Sequence, residues 1–277
     1  MRLDGQVTVD ADWTVIIPVK TLAAAKTRME PNARGSGDLA LAFFLDTLAA
    51  VRACDAVSEV LVATTDDQVA AAASAAGCDV IPDEGFPGIN AAARHAADQR
   101  SGTGGVAVIV SDLPCLTARS LAIVIAAADR HPVSFLADAD GEGTTMWFAG
   151  QGQATDPRFG VRSRAAHADA GAVDLVAAEG DLAAFAPARR DVDTRIALEQ
   201  ARRLGLGRHT VAVLAAVPSR IVTVADPEAG LVVDESGVTE LVPPSHVAAA
   251  GLRDLHRGQR LVLRLGPDAD IVAVDVP

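Results

Sequence analysis

Two short, almost uninterrupted apolar runs, Trp13 to Val19 and Val106 to Val110, constrain this chain more than any other feature. A strand with one wet face alternates polar and apolar residues. A run without that alternation predicts a strand buried on both faces, as in a sheet covered by helices. Helical stretches do stand between such runs. Asp38 can cap a helix reaching about Arg52, with Leu41, Phe44, Leu45 and Leu48 on one face. A strand from Glu59 to Thr64, a helix from Asp66 to Ala76 stopped by Gly77, and a strand from Cys78 to Ile81 follow. The Gly/Pro-rich segment Pro82 to Gly88 opens a helix from Ile89 to Gln99, and Thr117 caps another from Ala118 to Asp129. Strands Val133 to Ala137 and Thr144 to Ala149 flank a Gly-rich turn. This grammar predicts an α/β sheet of mostly parallel order, with its ligand site beyond the carboxyl ends of the strands. Lys20, Asp83 to Asn90, and Ser111 to Asp112 fall at such ends.

After Leu206 the grammar changes. Val217 to Val224, Gly230 to Val233, Val238 to Val242, Gln259 to Leu265 and Asp270 to Val276 read as short strands with turn-like links. Five such strands predict a small β-barrel. The division expected is residues 1–210 and 211–277.

Charge narrows the partners. Twenty-four basic residues against 36 acidic ones leave a net charge of −12. Nucleic acid and anionic membrane are repelled at long range, so a phosphate ligand needs a local basic site or a metal. Three cysteines without C-x-x-C spacing give neither a disulfide framework nor a zinc site. Met1 to Trp13 has no apolar signal region, and no stretch approaches the ~18 apolar residues of a membrane span. A soluble cytoplasmic protein is expected; homo-oligomerisation is left open.

Five segments could carry chemistry. K-T-L-A-A-A-K-T-R, from Lys20 to Arg28, sets Lys20, Lys26 and Arg28 just after the first strand, and those lysines are the only two in the chain. Either it is a solvated basic loop or it holds phosphates, for which lysine is a good point charge. D-E-G-F-P-G-I-N offers Asp83 and Asn90 to a base or ribose, or is an ordinary helix-opening turn. In S-D-L-P, Asp112 follows a buried strand and can ligate Mg²⁺ together with substrate phosphate oxygens. In D-V-D-T, alternation puts Asp191 and Asp193 on one side of an extended segment, where they repel unless a cation sits between them. The other reading of D-V-D-T is a helix cap. E-G-T-T, with Thr145, and F-G-V-R-S, with Gly160 and Ser163, suit a second small anion or are plain glycine turns.

These motifs, in order, resemble one family. I-I-P-V-K-x-x-x-x-A-K-T-R, S-D-L-P, D-V-D-T and the closing L-G-L-G-x-x-T are similar to those of the guanylyltransferases of coenzyme F-420 biosynthesis, specific for 2-phospho-L-lactate or phosphoenolpyruvate. The likeness runs from about Trp13 to Thr210. It implies a nucleotide-diphospho-sugar-transferase-like mixed sheet with flanking helices. It also implies transfer of GMP from GTP to the phosphate of a three-carbon acid. Lys20, Lys26 and Arg28 would hold the GTP phosphates; Asp83 and Asn90 would face the guanosine. Asp112, Asp191 and Asp193 would bind Mg²⁺. Thr145, Gly160 and Ser163 would cradle the acid. Arg162 stands where that family has Gly, either crowding the acid or adding a cation to it.

Ser245 to Val262 resembles the second half of a cold-shock domain, an OB-like barrel. Such domains bind single strands by stacking bases on aromatics over a basic face. Residues 209–277 hold no aromatic and 9 acidic against 5 basic residues, so no nucleic-acid partner is expected. The rivals to this reading are a sugar-phosphate or molybdopterin-type nucleotidyltransferase and a non-catalytic nucleic-acid-binding regulator.

Overall fold

The computed structural model describes residues 13–22, 36–82, 86–180, 182–216, 219–265 and 271–277. The chain divides into two units, one ending at Val211 and the other starting at Ala212.

In the first unit, strands β1 (Trp13–Pro18), β2 (Val57–Ala63), β3 (Asp79–Ile81), β4 (Gly105–Ile109), β5 (Val133–Ala137), β6 (Thr144–Ala149) and β7 (Val173–Asp174) form one sheet. Its order is β3-β2-β1-β4-β6-β5-β7. Helices α1 (Ser36–Arg52), α2 (Asp67–Ala75), α3 (Ile89–Asp98) and α4 (Ala118–Ala128) link the early strands. Four short helices follow: α5 (Ser163–Asp169), α6 (Leu175–Glu179), α7 (Leu182–Arg189) and α8 (Arg195–Leu204). Strands β1 to β4 are mutually parallel where they pair, while β6 runs antiparallel to both β4 and β5. The reversal follows from the link between β5 and β6, which is too short for the crossover that parallel strands need.

The apolar runs are explained by two cores. Val15 and Ile17 of β1 pack with Phe44 and Leu48 of α1, while Ile16 faces the opposite core. There α3 offers only Ala92, Ala93, Ala96 and Ala97 among its buried residues, so helix and sheet approach closely. Asp66 caps α2 and Thr117 caps α4 in a capping box with Ser120. Helix α1 starts at Ser36, so Asp38 lies in its first turn instead of capping it.

The second unit has strands β8 (Ser219–Asp226), β9 (Leu231–Asp234), β10 (Thr239–Leu241), β11 (Arg260–Leu265) and β12 (Ile271–Asp275), with α10 (Pro244–Ala249) between β10 and β11. All pairings are antiparallel, in the order β10-β9-β8-β11-β12. Among the described residues this is a sheet with two edges, where the sequence predicts a closed barrel. Val222, Val224, Val232, Leu261, Leu263 and Val274 form its core. The remaining helix, α9 (Arg208–Ala216), runs across the division between the units. Among the described residues no helix is long and apolar enough to cross a membrane.

Candidate active site

The order β3-β2-β1-β4 makes β1 and β4 the switch point of the sheet, and the crevice beyond their carboxyl ends is where such sheets bind ligands. Lys20 lies exposed two residues past β1. Its neighbour Leu22 donates its N–H to Asp66 at 2.9 Å, so the cap of α2 also anchors the start of the cationic segment. Lys26, Arg28 and Asp83 lie outside the described residues.

Asp112 follows β4. The buried Thr47 hydroxyl on α1 accepts from the Leu113 N–H at 3.1 Å and lies 3.2 Å from the Ser111 carbonyl, which grips the loop on both sides of Asp112. The Asp112 carbonyl accepts the Val192 N–H at 3.1 Å. That bond lays D-V-D-T alongside S-D-L-P. Val192 is buried, and alternation leaves its flanking aspartates on the other side, Asp191 half-buried and Asp193 exposed. Thr194 caps α8, accepting from the Ala197 N–H at 3.1 Å. The cap of α8 is therefore the threonine's task.

The carboxylates feel one another. Burial, then Asp191 and Asp193, push Asp112 up to about 7. Burial, then Asp138 and more weakly Asp193, push Asp191 up to about 6, against the pull of its own backbone N–H and Arg190. Asp138, Arg189 and Arg190 were not singled out by the sequence. Asp138 closes the turn between β5 and β6, accepting from the N–H groups of Gly141, Glu142 and Gly143 at 2.6, 3.0 and 2.8 Å. A Cβ on Gly143 would lie 2.3 Å from the Asp138 carboxylate, so only glycine fits there. Arg189 donates to the carbonyls of Ala137 (2.9 Å) and Asp138 (2.7 Å), tying the end of β5 to the segment that leads into D-V-D-T. Buried Arg190 donates twice to exposed Asp140, each at 3.2 Å. The available signal was the pair of arginines directly before D-V-D and the D-A-D-G between two strands.

On the other side, Thr145 is buried, with its hydroxyl donated to the Ala188 carbonyl at 2.8 Å. Its own carbonyl accepts the Val110 N–H at 3.0 Å, joining β6 to the residue after β4. Ser163 is buried at the start of α5, its N–H donated to the Gly160 carbonyl at 3.2 Å. Arg162 is exposed, with a left-handed backbone at φ 56° and ψ 36°. Asn90 is turned toward Phe159, bonding both its N–H and its carbonyl.

Among the described residues, no three His, Cys, Asp or Glu side chains stand close enough together to enclose a metal ion. Mg²⁺ rarely uses such a cage. It takes one or two carboxylates and fills its octahedron with waters and substrate phosphates. Hard oxygen donors such as Asp112 and Asp191, raised in pKa first by burial and then by neighbouring carboxylates, fit that ion.

Asp112 follows β4 at the switch point of the sheet, and Lys20 follows the neighbouring β1. Residues 40–183 match the MobA-like NTP transferase domain. The phosphoenolpyruvate guanylyltransferase of Salinispora arenicola is 44% identical over 203 residues, covering 72% of this chain and 91% of that protein. That of Streptomyces coelicolor is 44% identical over 208 residues, covering 73% of this chain and 96% of that one. That of Thermomonospora curvata is 42% identical over 229 residues, with coverages of 79% and 96%. The chain belongs to the phosphoenolpyruvate guanylyltransferase family.

Proposed function

We propose that this chain transfers GMP from GTP to the phosphate of phosphoenolpyruvate and releases pyrophosphate, a step of coenzyme F-420 biosynthesis. The observation that carries the reading is the backbone bond from Val192 to Asp112, which sets two carboxylate motifs side by side at the mouth of β1 and β4. The relatives' names supply the substrates. Lys20, with Lys26 and Arg28 on the same segment, holds the triphosphate. Residues 82–88, with Asp83, receive the guanosine. Thr145, Gly160 and Ser163 bound the acid; Thr145 serves through its strand end, because its hydroxyl is bound to Ala188.

Of Asp112, Asp191 and Asp193, one or two carboxylates at a time would hold Mg²⁺, with substrate phosphates and water completing its shell, and the ion would neutralise charge on the phosphates. The chain's own residues do the rest. The cations align the α-phosphorus with the acceptor, and the acceptor phosphate, already an anion, attacks in line as pyrophosphate leaves. No side-chain nucleophile is required, so the rate comes from positioning and charge neutralisation. We read the second unit as a cold-shock-like OB fold, a reading supported by its five antiparallel strands and by α10 between the third and fourth of them. It takes no nucleic acid, and the protein works in the cytoplasm.

The test is incubation with GTP, Mg²⁺ and either phosphoenolpyruvate or 2-phospho-L-lactate, followed by mass spectrometry. Guanylylated phosphoenolpyruvate and pyrophosphate are expected. A preference for phospholactate would reassign the acceptor. No guanylylated product from either acid would sink the reading.

A further inference from the structure

Asn90 is the second residue of α3, directly after the Gly-rich segment that the reading above gives to guanosine. Its amide faces elsewhere. Nδ2 donates to the Phe159 carbonyl at 2.9 Å, and Oδ1 accepts the Phe159 N–H at 2.8 Å. This reciprocal pair fixes which way round the amide lies, since the flipped form would set oxygen against oxygen. The residue before Phe159 is held too. The Arg158 N–H donates to Nε2 of buried His167 at 2.8 Å, and Nδ1 of that ring meets the Thr144 hydroxyl at 3.0 Å. The His167 ring lies 5.4 Å from the ring centres of both Phe135 and Phe159. Two consecutive backbone amides are thus fastened by side chains from α3 and α5.

The next residues are Gly160 to Ser163. Gly160 has φ 141°, and Arg162, at φ 56°, is the one described residue other than glycine with positive φ. Backbone in such sparsely populated regions persists only where its surroundings over-determine it. The Asn90 pair and the His167 bond are that surrounding structure on the N-terminal side of the turn.

We propose that Asn90 is a positioning residue for the three-carbon acid, acting through Phe159 on the Gly160–Ser163 turn, and that it does not read the guanosine. The assignment rests on the guanylyl-transfer reading above. With the clamp removed, the turn loses its fixed shape, so the acid binds more weakly while GTP binds as before.

Asn90→Asp separates the two roles. At a base-reading position, an aspartate keeps acceptors for the N–H groups of guanine. At the clamp it sets a carboxylate oxygen against the Phe159 carbonyl. Initial rates of the full chain are measured with phosphoenolpyruvate varied at saturating GTP, and the reverse, for wild type, Asn90→Asp and Asn90→Ala. Thermal melts accompany each. Alanine is a good helix former, so the second variant keeps α3 intact. The expected result is a KM for the acid raised about tenfold in both variants, with the KM for GTP within about twofold of wild type. A rise confined to GTP, equal rises for both substrates, or unchanged KM values would overturn the proposal. So would a loss of kcat that tracks a lowered Tm with both KM values unmoved, since that marks a merely structural role. A wild-type chain that makes no guanylylated acid ends the functional reading and this assignment together. Wild-type turnover with the wrong KM pattern ends this assignment alone.

Discussion

Asp112 is held where its own charge is unwelcome. Its carboxyl ionises near 3.8 without the fold and near 7 within it. Between those values the folded chain binds the extra proton, so stability falls as pH rises through the window. Above it the half-buried charge, set beside Asp191 and Asp193, destabilises the fold. Asp112→Asn should therefore raise Tm at pH 8 in metal-free buffer. It should also lower kcat by more than the ~10–100-fold typical of losing a second-shell partner of a metal. Melting and single-turnover rates on the same preparation check both; near-normal turnover would remove Asp112 from the site. Arg162 gives the opposite case, an exposed residue on a left-handed backbone. A left-handed backbone suits glycine, so Arg162→Gly should raise stability by about 0.5–1 kcal/mol by urea titration, the relief being partly offset by glycine's greater unfolded entropy. Aspartates after buried strands could be read from sequence because position along the chain already set them at a sheet edge. Asp138 and Arg190 could not, because they matter only once the end of β5 is folded against D-V-D-T.

Elements were legible where a short apolar run is bounded by turn residues. The bounds of β5 and β6 come out as predicted, and the Gly-rich link between them requires the hairpin. Which loops meet was not legible, because loop contacts are set by tertiary packing. The L-G-L-G-x-x-T motif illustrates this. Asp46 on α1 accepts the N–H groups of His209 and Thr210, each at 2.9 Å, so a side chain from a distant helix caps α9. A Cβ on Gly207 would sit 2.2 Å from that carboxyl, which explains the glycine. His167 joins α5 to β6 in the same way and makes a testable pH device. Burial drives its pKa down to about 4 from an ordinary 6.5, and Nε2 must stay unprotonated to accept the Arg158 N–H. The unfolded chain takes up the proton first, so stability is full above about 6.5 and is lost as pH falls toward 4. The loss should reach about 3 kcal/mol. Denaturant unfolding at pH 7.5 and 4.5 should show this drop in wild type and a smaller one in His167→Gln. Equal drops would mean that other groups govern the acid limb.

At the scale of the molecule, the question is why a transferase carries the second unit at all. The Salinispora and Streptomyces relatives are matched over 91% and 96% of their lengths by 72% and 73% of this chain, so the extra sequence is not part of what they share with it. Every candidate site residue lies before Thr194. A chain ending at Ala216 keeps α9 whole, together with the Asp46 bonds at its start, and should retain guanylyl transfer within about threefold of the full chain. The sequence of the second unit offers little to a single strand. Stacking on an aromatic is worth ~1–3 kcal/mol per base, and residues 209–277 contain no aromatic side chain. Their excess of acidic over basic residues also removes the counterion release that supplies most non-specific affinity. Two or three missing stacking faces weaken binding by several powers of ten. Fluorescence anisotropy with single-stranded DNA and RNA should therefore detect no binding by the full chain at physiological salt. Micromolar binding would mean that the sheet has a recognition surface built without aromatics. Loss of turnover in a folded chain ending at Ala216 would make the second unit part of the catalytic machinery.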